Sequence, residues 1–162
     1  MNLLKYIDKL LLNILKIVSS LCLAATVVFV VIQVFFRYFL KLPCSWAEEL
    51  ARLALVWCVV LASAAGVRLL EHPKLDLLLK RLSVPMQKII TILIYLAIAG
   101  FGLVLTIYGV KFTIATSMDF MTSLGFHKNY FYAPSFVGGA LYTVYAISHC
   151  IQTILSFRKE KS

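Results

Sequence analysis

The 162-residue chain is 62% hydrophobic and 14% charged, with a formal net charge of +9. A water-soluble domain of this size needs far more polar surface, so the composition excludes an ordinary globular enzyme or binding module. The basic excess would suit nucleic acid, but its placement along the chain reads as a membrane-orientation signal, and no nucleic-acid partner is expected.

Four apolar stretches, residues 10–36, 47–67, 89–110 and 130–157, reach the roughly 20 residues needed to cross about 30 Å of hydrocarbon. The expected fold is an all-α membrane protein of four transmembrane helices, built as one integral domain over residues 1–162. The first stretch follows Lys5 and Lys9 as a signal peptide would. It is too long for one, and no polar cleavage region follows its small residues, so it should remain as a spanning helix. Near its end come Gln33 and Arg37, one turn apart.

A short turn over residues 38–45 leads to "PCSWAEELAR", residues 43–52, where the chain suddenly becomes polar. Ser45-Trp46-Ala47-Glu48 matches a capping box, with Ser45 accepting from the Glu48 amide and the Glu48 carboxylate reaching back. Trp46 suits the headgroup level, and Glu48 and Glu49 suit the positive end of a helix dipole. Arg52 lies roughly 10 Å into the span. It is four residues from Glu48 and three from Glu49, so pairing on one helix face or snorkelling outward are both open to it. The arrangement expected is a Glu48 cap, with Glu49, Arg52 and Arg37 forming a charge network in the outer leaflet. Such a network either clamps the first hairpin or docks another subunit, since ionisable groups in a membrane are costly.

In the inner segment, "HPKLDLLLKRLSVP" places Leu75, Leu78, Leu79 and Leu82 at helical spacing, away from Asp76, Lys80 and Arg81. Residues 73–83 therefore read as a short amphipathic helix in the cytoplasmic interface, or as an extension of a spanning helix. Small residues cluster at 62–66, and Ser135, Gly139 and Thr143 repeat every four residues, which lets helices in lipid approach closely. Tyr38, Trp46, Phe126, Tyr130, Phe131 and Tyr132 would form the outer aromatic belt.

Orientation follows from the cations. With the N-terminus inside, the cytoplasmic pieces hold Lys5, Lys9, Lys16, Arg68, Lys74, Lys80, Arg81, Lys88, Arg158, Lys159 and Lys161. The outer pieces hold only Arg37, Lys41, Lys111 and Lys128, so both termini are expected in the cytoplasm. Cys22, Cys58 and Cys150 fall within spans and no CxxC pair exists, which supports neither a redox nor a zinc site. His72, His127 and His149 are scattered, and no nucleophile–base–orienter set accompanies the carboxylates. The third and fourth spans carry no charged midplane group of the kind transport sites use. Neither a catalytic residue, a metal nor a cofactor is expected. The chain reads as a scaffold.

The order Gln33, Arg37-Tyr38, then Trp46-Ala47-Glu48-Glu49-Leu50-Ala51-Arg52, Gly66, Glu71-His72, Asp76, Leu82 and Pro85 resembles the small membrane subunit of tripartite ATP-independent periplasmic (TRAP) transporters. Pro134 and the small residues up to Gly139 look like that family's last span. The resemblance runs nearly end to end. It implies a multi-pass protein of the bacterial inner membrane, paired with a larger permease that carries the substrate and sodium sites. A periplasmic solute-binding protein would deliver an organic acid, and this chain would brace the moving permease. A self-contained oligomeric exporter and a small four-helix membrane enzyme are the competing classes. An exporter would use a membrane-embedded carboxylate, yet both candidates sit at a helix start.

Overall fold

The computed structural model describes residues 2–69 and 84–160, and every named element in it is helical. Helix α1 covers Asn2–Phe35 and continues into a π-helical turn, Phe36–Leu40. Helix α2 covers Ser45–Leu69, α3 Val84–Ala115 and α4 Asn129–Glu160. The expected stretches 47–67, 89–110 and 130–157 each sit within one helix, and 10–36 ends on the first residue of the π-helical turn. The expected interfacial helix, with Leu75, Leu78, Leu79 and Leu82, lies outside the described residues.

Among the described residues, three helical segments are long and apolar enough to cross a membrane: Tyr6–Leu40, Ser45–Leu69 and Ile89–Ala115. Helix α4 is as long as α3 but less apolar, because Ser135, Thr143, His149 and Gln152 interrupt it. Its proline does not break it. Pro134 lies within the second turn and is fully buried; its missing amide leaves the Tyr130 carbonyl without a helical donor, and the Trp57 indole donates to that carbonyl instead at 3.3 Å.

Why the helices associate can be read from their buried positions. In α1, Leu15, Ser19 and Thr26 are buried, with Cys22 half-buried between them. In α2 the buried set is Ala47, Ala51, Cys58, Leu61, Ala64 and Ala65. Both stripes advance by threes and fours, the spacing that keeps one seam facing a neighbour in left-handed packing. Hydroxyls on these seams fold back on their own helix: Thr26 donates to the Cys22 carbonyl at 2.8 Å and Ser19 to Lys16 at 3.1 Å. No polar group there has to face hydrocarbon unpaired.

The α3–α4 contact is the closest in the molecule. A Cβ placed on Gly102 would lie 2.8 Å from the Gly139 carbonyl oxygen, and one on Gly139 would lie 2.7 Å from that of Gly102. Only a residue without a side chain fits at either place. The small-residue repeat of Ser135, Gly139 and Thr143 therefore finds its partner within this chain. Thr143 adds a hydroxyl bond to the Gly139 carbonyl at 2.9 Å. The cluster at 62–66 divides: Ala64 and Ala65 are buried, whereas Ala62 and Ser63 face outward.

Helix α2 meets α4 through Tyr142, whose hydroxyl donates to the Val60 carbonyl at 3.2 Å, and through Trp57, which donates to the Tyr130 carbonyl at 3.3 Å. Leu15, Leu61, Ala64, Ala65, Tyr142 and Tyr145 form the common core. The principal contacts are α1 with α2, α2 with α4 and α4 with α3. Among the described residues the helices consequently stand in an open row, α1–α2–α4–α3, and do not close into a ring. Of the three apolar segments, only 11%, 28% and 11% of the residues in the most apolar stretch are buried. The two connecting loops, 41–44 and 116–128, lie at one end of the row. The start of α1 and the end of α4 lie at the other.

Candidate functional site

The polar residues gather at the loop end, around the start of α2. The first helical hydrogen bond runs from the Glu48 amide to the Cys44 carbonyl at 3.3 Å. Cys44 thereby takes the cap position, and Ser45 is already the first helical residue. The Glu48 carboxylate is committed elsewhere. Arg52 donates to one of its oxygens at 2.8 Å and Gln33 of α1 to the other at 3.3 Å. This arrangement differs from the capping box expected of Ser45 and Glu48.

Glu49 turns the other way. Successive helical residues point about 100° apart, so Glu48 faces α1 while Glu49 faces the loop after α3. Thr122 donates its hydroxyl to Glu49 at 2.7 Å, and the amides of Ser123 and Leu124 each donate at 3.2 Å. Arg52, four residues beyond Glu48, lies nearer the Glu48 side of the helix, and an acid preceding a base by four is the favoured order. The expected Glu49–Arg52 pair is replaced by a Glu48–Arg52 pair.

Loop 116–128 is itself a small fold. Phe120 and His127 form an antiparallel bridge, the Met121 amide donates to the Phe126 carbonyl at 2.7 Å, and that of Lys128 to the Asp119 carbonyl at 2.8 Å. Lys128 and Asp119 are also 3.7 Å apart as an ion pair. His127 is held by Ser117, whose carbonyl lies 2.8 Å from Nδ1. A cavity of about 240 Å³ opens beneath the loop, lined by Glu49, Arg52, Met121, Lys128, Phe131 and Tyr132.

A second cavity, of about 260 Å³, lies on the other side of α2 beside the π-helical turn. Arg37, Gln33, Lys41, Ser45 and Glu48 line it. Arg37 makes no ion pair among the described residues, so it shares a wall with Glu48 without joining the charge network expected of it. Trp46 is exposed, as are Tyr38, Phe126 and Tyr130, while Phe131 and Tyr132 are half-buried.

Sequence reasoning missed a strong pair at the opposite end. Arg68, in the last turn of α2, grips Asp8 of α1 with two nitrogens, Nε at 3.0 Å and Nη2 at 2.6 Å. Both side chains are largely sheltered. The signal was available: in an antiparallel α1–α2 hairpin, Asp8 and Arg68 fall at the same end, and Asp8 stands alone between Lys5 and Lys9. The loop contacts of Glu49 had no such signal, because two of the three donors are backbone amides.

Among the described residues no group of three or more His, Cys, Asp or Glu side chains is placed to hold a metal ion. His149 is buried and stacked on Tyr95, with ring centroids 5.3 Å apart, in the half of α4 away from the loops. The arrangement can join helices, fix a loop and offer cations at a rim.

Among curated proteins none matches the chain. The profile of the family described as tripartite ATP-independent periplasmic transporters, DctQ component, matches residues 26–156. That stretch takes in the last turns of α1, the polar cluster with all of α2, the whole of α3 and nearly all of α4, and the chain belongs to this family of small TRAP transporter components.

Proposed function

We propose that this chain is the non-catalytic brace of a secondary uptake system, holding a larger permease subunit that carries the substrate and sodium sites. The observation that carries the reading is the open helix row. A protein that encloses its own translocation path needs a ring or bundle with polar groups inside, near the bilayer midplane. Among the described residues, α1 and α3 each have one principal helix neighbour, and the two broad sides of the row are apolar and not covered by another described helix. Such a surface suits lipid on one side and a large membrane partner on the other.

In this reading α4 is the fourth span, lowered in hydropathy because its small and hydroxylated residues pack on α3 and α2. Both termini lie in the cytoplasm and the two loops in the periplasm of the inner membrane, as the eleven-to-four cation count favours. A periplasmic solute-binding protein would approach the loop end with an organic acid. The Glu48–Arg52, Glu49–loop and Asp8–Arg68 contacts would keep the row stiff while the permease moves.

Copurification tests the proposal. Affinity-tagged chain extracted in mild detergent should bring down a large multi-pass permease in fixed ratio. A chain that elutes only as its own oligomer would instead support a self-contained exporter.

A further inference from the structure

We propose that the cavity beside the π-helical turn binds the phosphate group of a membrane phospholipid. Arg37 and Lys41 both line it, and neither makes an ion pair among the described residues. Glu48 is the one acid on its wall, and its charge is already met by Arg52 at 2.8 Å, with Gln33 adding a bond at 3.3 Å. Two uncompensated cations thus face a space of about 260 Å³, room for a phosphate ester and a few waters. Gln33 and Ser45 add polar groups to the same wall.

The backbone there is set in an unusual way. Lys41 adopts a left-handed conformation, φ 52° and ψ 28°, and its amide closes the turn on the Phe36 carbonyl. A left-handed residue commonly ends a helix and is usually glycine; here the position is filled by a cation. The turn brings the two cations, four residues apart, to one cavity.

The surroundings favour lipid over a protein carboxylate. Tyr38, Phe39, Leu40 and Leu42 are all exposed around the turn, so the cations are embedded in apolar and aromatic surface. That mixture belongs to the level where headgroup phosphate meets the acyl chains. Helix α1 is also an end member of the row, in contact with α2 on one side. Guanidinium and ammonium groups pair well with phosphate oxygens, the first in a bidentate manner.

The test uses the full chain in mild detergent, titrated with phosphatidylglycerol and followed by native mass spectrometry. One phosphatidylglycerol should bind in clear preference to diacylglycerol, which has the same tails without the phosphate. The double variant Arg37→Gln/Lys41→Gln should lower that affinity at least about tenfold, the loss expected when charge-assisted contacts are removed. The charge-keeping variant Arg37→Lys/Lys41→Arg should retain most of it, and Lys111→Gln, on α3, should leave it unchanged. Unaltered lipid affinity in the double variant, equal binding of diacylglycerol, or equally tight binding of soluble glycerol phosphate would overturn the proposal. So would a zero-length carbodiimide cross-link from Lys41 to a carboxylate of the copurified permease.

Discussion

A carboxylate that accepts from one hydroxyl and two backbone amides fixes a loop more firmly than an exposed ion pair fixes a helix. Glu49 does the first and Arg52 the second. The Glu48–Arg52 pair has both side chains more than half exposed, 60% and 51%, and such i,i+4 pairs contribute about 0–1 kcal/mol. Arg52→Ala should therefore shift the thermal midpoint by no more than about 3 °C. Glu49→Ala strips three donors of their acceptor; these bonds are charge-assisted but largely open to solvent, so each is worth about 0.5–1.5 kcal/mol. Amide exchange at Ser123 and Leu124 should accelerate roughly tenfold or more in Glu49→Ala, with the Glu48 side of α2 unaffected. Equal protection in both variants would remove Glu49 from its role as the anchor of the loop. At the other end, Asp8→Asn and Arg68→Ala should each cost about 1–3 kcal/mol, because that pair is doubly bonded and partly buried. Sequence placed Glu49 in the right neighbourhood and gave it the wrong partner. Helical spacing reports which residues share a face, but says nothing of a backbone amide 74 or 75 residues away.

Helices were the most legible level. Twenty consecutive apolar residues have few alternatives to a helix where water is absent, and all four stretches fall within observed helices. The termini ran further than hydropathy indicated: α1 begins at Asn2, because Lys5, Asp8 and Lys9 are compatible with a helix that continues past the hydrocarbon. The order of the row was not legible. Periodicity marks a buried face, yet the Ser135, Gly139 and Thr143 stripe could have met another subunit as easily as α3. Steric detail settles it, since Gly102 and Gly139 leave no space for a Cβ. Gly139→Leu should force α3 and α4 apart at about 1–3 kcal/mol or more, seen as a lower melting temperature and loss of the monodisperse detergent peak. Ala62→Leu, on the outward face of α2, should change stability by less than about 0.5 kcal/mol. If Ala62→Leu leaves the isolated chain intact but prevents copurification of the permease, that face carries the partner. Full recovery of the permease would assign it to lipid.

For the molecule as a whole, the four described helices run so that the start of α1 and the end of α4 lie on one side of the row. Reporter fusions at Ser162 should read cytoplasmic and fusions near Lys41 or Leu124 periplasmic; a periplasmic signal at Ser162 would overturn the proposed orientation. The scaffold reading also rests on this level, on an open row with wide uncovered sides and polar groups concentrated at its two ends. Its most direct test is uptake. Proteoliposomes holding this chain alone, given an inward sodium gradient and a panel of labelled organic acids with the binding protein, should show no saturable accumulation. Vesicles holding the chain with its permease should accumulate one of them. Saturable, gradient-driven uptake by this chain alone would contradict the account.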